Sequence, residues 1–558
     1  MSGTTTASAG GAVRAFSVSM RSLMVDSSVA SMVPLDPVDG SDACEAGDHP
    51  ISATPMTEHR KPNAASAAVL LDSTIHGGND ASRRNTAAPG EPGLVCDAPT
   101  VPLRDDMFVP PVNPLPPLDG LQLHMVGIRG RGLRPLAIVA RHLGAQIDGC
   151  DLYGDIAHPE LVAAGITVGA GHAVEHVGGR HVVTSSAVPR ELPEVAAALA
   201  AGRLHHRADL LAAVMAARVS VGVTGSHGKG TVAALIAAAL FQHGDDPLAI
   251  IGAPVRNFGG SVQLGSGPLV AEVDDSDGSL SRISADVGVL TNSWFDHPIF
   301  GRSLTENRRD ISVFLENTPI DGHVILGRQK ELRPMARRAQ ATVLVLGRDF
   351  EGRTHSVSRS GEVVEVTDLD GSCFDIEVNI LAGNLADDVA MAFMALRSIG
   401  LSGEQAAVAL SALTGISRRV EFVGEAAGVC VYDDLGKHPE SLSAVIREIR
   451  KRTSGRLHVV FEPFLHADLL RWRTRWIEVL AQADSVIVLP VELRQSFPVP
   501  RRAPLDWAAA LAERLINAET RLEAADVVSQ IARSGDSVLI AGCVDDLDEV
   551  APWVLERL

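Results

Sequence analysis

The stretch VGVTGSHGKGTVAALIAAAL, residues 221–240, reads as an apolar strand, a glycine-rich turn and then a helix. It nearly matches the phosphate-binding loop G-x-x-x-x-G-K-[ST], with two departures. Val223 stands where the first glycine belongs, and Gly230 follows Lys229 where a Ser or Thr would hold magnesium. Such a loop works because successive backbone N–H groups and a helix N-terminus wrap a phosphate while the lysine reaches the outer phosphates. Gly225 and Gly228 supply the turn, Lys229 the charge, and Thr231, one residue late, a hydroxyl at the helix start. The bland alternative is a glycine turn between strand and helix with a solvated lysine.

Downstream, GPLVAEVD (267–274), ADVGVLTN (285–292), DGHVILG (321–327) and ATVLVLG (341–347) read as further strands, and NLADDVAMAFMALRSIG (384–400) as a helix. Two of these strands end in groups with chemistry. They stand at strand carboxyl ends, where ligands bind in open α/β sheets: Glu272 is followed by Asp274, Asp275 and Asp277, and Asn292 by Asp296 and His297. Carboxylates are hard oxygen ligands suited to Mg²⁺. An ordinary acidic loop and a structural His–Asp pair are the alternatives.

Upstream, LQLHMVGIRGRG (121–132), RPLAIVARHLGAQ, AQIDGCDLY, HVVTSSAV and ELPEVAAALAAG alternate between strand and helix patterns. From about Arg418, GVCVYDD, GRLHVVFEP, ADSVIVLPV and GDSVLIAGC repeat the alternation, and the chain ends on DEVAPWVLERL. The pattern predicts three α/β units with doubly wound parallel sheets and no internal repeat of 20–50 residues. Residues 1–118 differ: they hold 14 of the 31 prolines and close on the polyproline-like FVPPVNPLPPLDG (108–120). Such a segment buries too little apolar surface to offset chain entropy, so it reads as disordered.

At 558 residues the chain is too long for one ordinary core. A formal charge of −19 argues against bulk binding to nucleic acid or an anionic membrane. The six cysteines form no C-x-x-C pair, so neither a disulfide framework nor a zinc site is suggested, which fits a reducing cytosol. No apolar run reaches the ~18 residues a membrane span needs, and no secretory h-region is visible at the start. A cytoplasmic protein is expected.

Taken together the motifs resemble the Mur ligases, most of all the UDP-N-acetylmuramate–L-alanine ligases and the muropeptide-recycling ligases, over about residues 120–558. HMVGIRGRG is similar to the family turn H-F-[IV]-G-I-G-G-x-G, VVTSSAV to V-V-x-S-S-A-[IV], and TGSHGKGT to T/A-G-[ST]-H-G-K-[TSG]-[TS]. EVDDSD resembles E-A-D-E-S-D, TNSWFDH resembles T-N-x-x-x-D-H, GISRRVEFVGE resembles G-x-x-R-R-F-[DE], and YDDLGKHPESL resembles D-D-Y/F-[GA]-H-H-P-T-x. The family does not keep the strict spacing of the phosphate loop, so Val223 is no defect.

The resemblance implies a three-domain architecture behind a disordered tail (1–118). A Rossmann-like substrate domain (119–217) would be followed by a central P-loop ATPase domain (218–417) and a C-terminal Rossmann-like ligase domain (418–558). It implies that ATP phosphorylates a substrate carboxylate and that an amine attacks the acyl phosphate to give an amide. Lys229, His297 and Arg419 would be catalytic, with Arg419 reaching the γ-phosphate. Thr231, Glu272 and His297 would hold Mg²⁺. Gly225, Gly228, Lys229, Gly230, Thr231, Asn384 and Asp434 would bind ATP, Asp434 at the ribose. Gly127, Gly130, Gly132, Ser185 and Ser186 would hold a UDP-linked sugar acid, and Lys437 and His438 the amine side. The partners implied are a small carboxylic acid and an amino acid or amine, with the chain a monomer or homodimer.

Several positions depart from the pattern. Arg129 and Arg131 stand where the family has small residues, and either crowd a diphosphate or add cations to it. Trp294 replaces an acid, Gly383 a histidine, Asp387 an asparagine, Leu435 an aromatic and Lys437 a histidine. Phosphate and metal residues are kept while those expected at the sugar nucleotide and the amine differ. Three readings therefore stand: a ligase for UDP-N-acetylmuramate and L-alanine, a related ligase of specialised metabolism with a non-muramyl acid, and an inactive nucleotide-binding scaffold.

Overall fold

The computed structural model describes residues 108–152, 154, 158–293, 303–358, 360–436, 438–463, 469, 472–490, 510–542 and 547–558. Residues 1–107 of the tail, Trp294, Asp296, His297 and Lys437 lie outside the described residues.

The first domain runs β1 (Gln122–Val126), α1 (Arg134–His142), β2 (Gln146–Asp151), α2 (Pro159–Ala163), β3 (Thr167–Ala170), β4 (His181–Thr184), α3 (Pro193–Ala200), β5 (Leu204–His206) and α4 (Arg207–Met215). Its strands form a parallel sheet in the order β3-β2-β1-β4-β5. The polyproline-like stretch departs from the expectation of disorder, because residues 108–118 pack along this sheet's β5 edge. Asn113 Nδ2 donates to the carbonyls of Gly202 (3.2 Å) and Leu204 (3.1 Å), and His205 Nδ1 donates to Asn113 O at 2.7 Å. That leaves His205 Nε2 to accept from His181 Nδ1 at 2.9 Å. Phe108 packs beside the core formed by Val126, Val182 and Leu204, and Leu118 is buried. Composition misses this because a strand edge offers unpaired backbone groups that a segment poor in apolar residues can still cover.

The central domain begins with β6 (Ser220–Thr224) and α5 (Lys229–His243). It continues through β7 (Leu248–Val255), β8 (Gly260–Gln263), β9 (Leu269–Glu272), β10 (Val287–Leu290), α6 (Leu304–Glu316), β11 (His323–Leu326) and β12 (Thr342–Val345). A small antiparallel sheet follows, made of β13 (Glu351–Val357), β14 (Glu362–Thr367) and β15 (Cys373–Val378), and then α7 (Leu385–Ser398) and α8 (Gly403–Leu410). The main sheet has the order β12-β11-β10-β6-β9-β7-β8, parallel except for the β7–β8 pair. Central β6 is buried throughout, as expected of a parallel strand covered on both faces. Helix α5 is buried at every residue from Gly230 to Leu240. Its alanines allow this, for the helix lies between the sheet and α7 and α8 and must be apolar all round.

The third domain runs β16 (Glu421–Ala426), β17 (Val429–Asp434), α9 (Pro439–Arg450), β18 (Leu457–Glu462), α10 (Arg473–Leu480), β19 (Ser485–Val488), β20 (Leu515–Asn517), α11 (Arg521–Ile531), β21 (Ser537–Gly542) and α12 (Val550–Arg557). The sheet order is β16-β17-β21-β18-β19-β20, parallel except at β16–β17. The carboxyl ends of β6, β9 and β10 lie side by side where the strand order reverses, which is where an open α/β sheet binds its ligand. Substituting Asn113→Ala removes two donors from the β5 edge and should cost about 1–2 kcal/mol. A lower midpoint for the first thermal transition checks this; an unchanged midpoint sinks the idea that the stretch is held there.

Candidate active site

The loop between β6 and α5 is held from below by the end of β10. Asn292 Nδ2 donates to His227 O at 2.8 Å while its Oδ1 accepts from His227 N at 2.9 Å, and Thr291 Oγ1 donates to the same carbonyl at 2.6 Å. Thr224 Oγ1 donates to Val273 O at 3.0 Å, tying β6 to the chain beyond β9. Gly225 and Gly228 have φ of 129° and 80°. A Cβ at Gly225 would lie 2.3 Å from Thr291 Oγ1, and one at Gly228 2.6 Å from Asp388 Oδ1. Both glycines are therefore required by conformation and by space. Val223 is a buried residue of β6, so the turn starts two residues later than the strict motif demands.

Lys229 opens α5 and is 13% exposed; its Nζ donates to Gly225 O at 2.9 Å and lies 3.4 Å from Asp275 Oδ1. Burial disfavours its charge, but Asp275, Glu272 and Asp274 outweigh that and hold the ammonium above its ordinary range. Glu272, at the end of β9, accepts from Gly252 N at 2.8 Å. A Cβ at Gly230 would lie 3.0 Å from Glu272 Oε2 and 3.7 Å from Arg419 Nη2. The position facing the carboxylate across the helix start is thus the glycine, and the expected hydroxyl of Thr231 follows it, buried.

The four acids from the end of β9 onward divide into two tasks. Glu272 and Asp275 face the loop. Asp274 and Asp277 take the guanidinium of Arg207, with Nη2 at 2.6 Å and 3.0 Å. Ser186, expected at the sugar acid, donates instead to Asp277 Oδ2 at 2.6 Å. Burial opposes ionisation of Asp277, yet Arg207 keeps its carboxyl below the usual range. Burial and the neighbouring Arg207 and Arg282 push His206 down to about 3 despite Asp277, so this ring is neutral. Arg207 is a residue the sequence motifs did not single out; its one signal is its place at the start of α4, where β5 ends.

Arg419 comes from the third domain. Its flanking residues Arg418 and Val420 have φ of 56° and 47°, a backbone strain typical of functional sites. Asp434 fixes it: Oδ2 accepts from Val420 N at 2.9 Å and Oδ1 from Gly436 N at 2.8 Å. Burial pushes the Asp434 carboxyl up, and these backbone donors together with Arg419 resist the push. Just before, Ser417 N donates to Pro254 O at 2.9 Å and Ile416 bridges to Val255, so residues 416–417 belong to the central sheet. Arg419 Nε is buried without a protein partner. The His438 ring lies 6.0 Å from that of His227 and 5.3 Å from Trp472, and its Nδ1 caps α9 by accepting from Glu440 N at 3.3 Å.

Other expected positions fall elsewhere. Gly127 (φ 79°) donates through its N–H to Cys150 O at 2.8 Å, and Arg129 N donates to Asp151 Oδ2 at 3.2 Å, so the turn leans on the end of β2. Gly130 closes the turn by donating to Gly127 O, and Gly132 lies against Arg207. The Ser185 carbonyl accepts from Val188 N. Asn384 is an exposed N-cap of α7. Asp387 pairs with Arg328 at 2.8 Å, and a Cβ at Gly383 would come within 2.7 Å of Ala444 on α9. The two departures in AGNLADD thus have local structural partners.

Asp388 is a second residue the motifs missed. Its carboxyl is buried against Gly228, and burial, with Asp387 adding repulsion, raises its pKa well above the ordinary value. A group whose pKa rises on folding supports the fold below its unfolded pKa and loses that support as pH climbs through the folded value. Asp388→Asn should therefore gain melting temperature over the parent more at about pH 8 than at about pH 5. A gain independent of pH contradicts a neutral buried carboxyl.

Sequence and structure comparisons agree on one family. Residues 122–219 match the Mur ligase family, catalytic domain, and residues 418–544 match the Mur ligase, glutamate ligase domain. The UDP-N-acetylmuramate–L-alanine ligase of Rhodospirillum centenum is 31% identical over 451 residues, covering 76% of this chain and 92% of the relative. That of Streptomyces avermitilis is 31% identical over 450 residues, covering 78% and 97%. The crystal structure of UDP-N-acetylmuramate-alanine ligase from Thermotoga maritima superposes with a TM-score of 0.64 at 20% identity, over 78% of this chain and 99% of that one. The chain belongs to the Mur ligase family, ATP-dependent ligases that form amide bonds.

Proposed function

We propose that the chain joins a UDP-N-acetylmuramate-type acid to L-alanine, with Mg²⁺ as the metal. The observation that carries this is the convergence of Lys229, Glu272 and Arg419 on the Gly230 end of α5. The residues fit a nucleotide triphosphate: two glycines whose Cβ atoms would be excluded, a buried lysine, and a buried guanidinium nitrogen with no protein partner. Glu272 and Asp275 supply the oxygen donors that a hard divalent cation requires. When bound, ATP with Mg²⁺ supplies the phosphoryl group that turns a carboxylate into an acyl phosphate with a good leaving group.

The remaining work falls to this chain. The N–H groups of the first turn of α5 lack intrahelical acceptors and would be the donors to a bound phosphate. Lys229 and Arg419 would supply the positive charge there. Asn292 and Thr291 fix the loop in advance, so little reorganisation is needed. Asp434, with both oxygens on backbone donors, positions Arg419 in addition to any contact it makes with the ribose. His297 and Thr231 remain candidates for the metal, and Asn384 for the adenine side. The Gly127–Gly132 turn and Ser185 are the surface offered to the acid, and Lys437 and His438 to the amine. We place the reaction in the cytoplasm, by a monomer or homodimer.

A second reading, a ligase for a non-muramyl acid, is favoured by Ser186, whose hydroxyl is committed to Asp277. Phosphate release and product mass with UDP-N-acetylmuramate and each common amino acid separate the two readings. An amide product with L-alanine supports the first; ATP turnover only with another acid transfers the assignment to the second. Lys229→Ala should lower kcat/KM by about 10³-fold or more and Arg419→Ala by about 10²–10³-fold. Equal turnover in either variant contradicts the assigned role.

A further inference from the structure

The first domain gathers five metal-ligating side chains away from the ATP site. His124 lies on β1, Cys150 on β2, His172 and His176 in the connection from β3 to β4, and Glu194 in the first turn of α3. Cys150 Sγ lies 3.3 Å from His124 Nε2, 3.6 Å from His172 Nδ1 and 3.3 Å from Glu194 Oε1. Glu194 Oε1 is also 3.3 Å from His172 Nδ1 and 3.2 Å from His176 Nδ1. Ligands held at zinc-like bond lengths in a tetrahedron stand roughly 3.3–3.8 Å apart. The triad Cys150–His172–Glu194 already has that spacing, and a second group, His124–Cys150–His176, shares the sulfur with its ligand atoms within 4.8 Å of one another.

Hydrogen bonding alone accounts poorly for this arrangement. Glu194 Oε1 is approached by the Cys150 thiol, two imidazoles and the Ala173 N–H (2.8 Å), while Oε2 of the same buried carboxylate has no partner. An oxygen has two lone pairs to give, so one atom is crowded and its twin is bare. A cation among these donors relieves the crowding at Oε1. The support around the cluster is that of a metal centre as well. His124 Nδ1 donates to Asp148 Oδ1 at 2.6 Å, and Arg180 pairs with Asp148, so the bare Nε2 of His124 faces the sulfur. A carboxylate behind a ligating histidine is the usual way to fix its tautomer.

We propose that Cys150, His172 and Glu194 bind one transition-metal ion of the zinc class, with His124, 3.3 Å from the sulfur, as the fourth ligand. A thiolate with imidazoles selects such ions over magnesium or calcium, so the site is chemically distinct from the one at Glu272. As the metal–sulfur bond forms, the Cys150 S–H proton leaves to solvent. The carbonyl of Cys150 accepts from Gly127 N (2.8 Å) and Ile128 N (3.3 Å), so an ion on its sulfur braces the glycine turn of this domain.

The test is a titration of chelator-treated full-length chain with Co²⁺, reading the thiolate-to-cobalt charge-transfer band, followed by displacement with Zn²⁺. One equivalent giving the band, bleached by zinc, is expected. Cys150→Ser should abolish it, Asp148→Asn should weaken cobalt affinity by about 10–100-fold, and Glu272→Gln should leave it intact. If Cys150→Ser does not fold, the parent titration and Asp148→Asn decide. No thiolate band in the parent, or a band unaffected by Asp148→Asn and Cys150→Ser, overturns the proposal.

Discussion

Burying an ammonium ion at the mouth of α5 is the constraint on which the centre of this protein depends. A charge in that position is costly unless opposite charges surround it, and Lys229 is surrounded from β9 by Glu272, Asp274 and Asp275. The same carboxylates then meet cations from both neighbouring domains. Arg207 arrives from the first on Asp274 and Asp277, and Arg419 from the third near Glu272. The acidic run after β9 therefore acts as the junction of the molecule as well as a part of its site. This explains why several of its members are unavailable to a metal: they are already paired with arginine.

Much of this was legible where function is local in sequence. The β6–loop–α5 unit, the strands 267–274 and 285–292 and the run from Glu272 to Asp277 can be read because their residues are neighbours along the chain. Family resemblance added Arg419 and Asp434, whose meeting with the loop no periodicity reveals. What composition and spacing left unseen are relations across the fold. Arg207 and Asp388 carry no motif, and their importance arises only once α4 and α7 are packed against the loop. The small β13–β15 sheet lies in a stretch passed over between two clearer signals, although VEVT (364–367) alternates as a strand should.

The five ligating side chains of the first domain show the same limit more sharply. Read along the chain, Cys150 has no cysteine partner, and the spacing His172-x-x-x-His176 is unremarkable beside a lone glutamate at 194. The parallel pairing of β1 with β2 brings His124 within reach of Cys150, and the return of the chain through α3 supplies Glu194. Absence of a sequence motif for zinc is thus no guide to what a doubly wound sheet can assemble from single residues.

The seam between Ser417 and Arg418 has a mechanical meaning. Residues 416 and 417 are bonded into the central sheet, whereas Val420, the residue after Arg419, is held by Asp434 of β17. Arg419 therefore stands at the crossing, its own N–H on Ile416 O at 3.3 Å and its following residue on Asp434. The link from that crossing to the third domain is a single carboxylate holding two backbone amides, those of Val420 and Gly436.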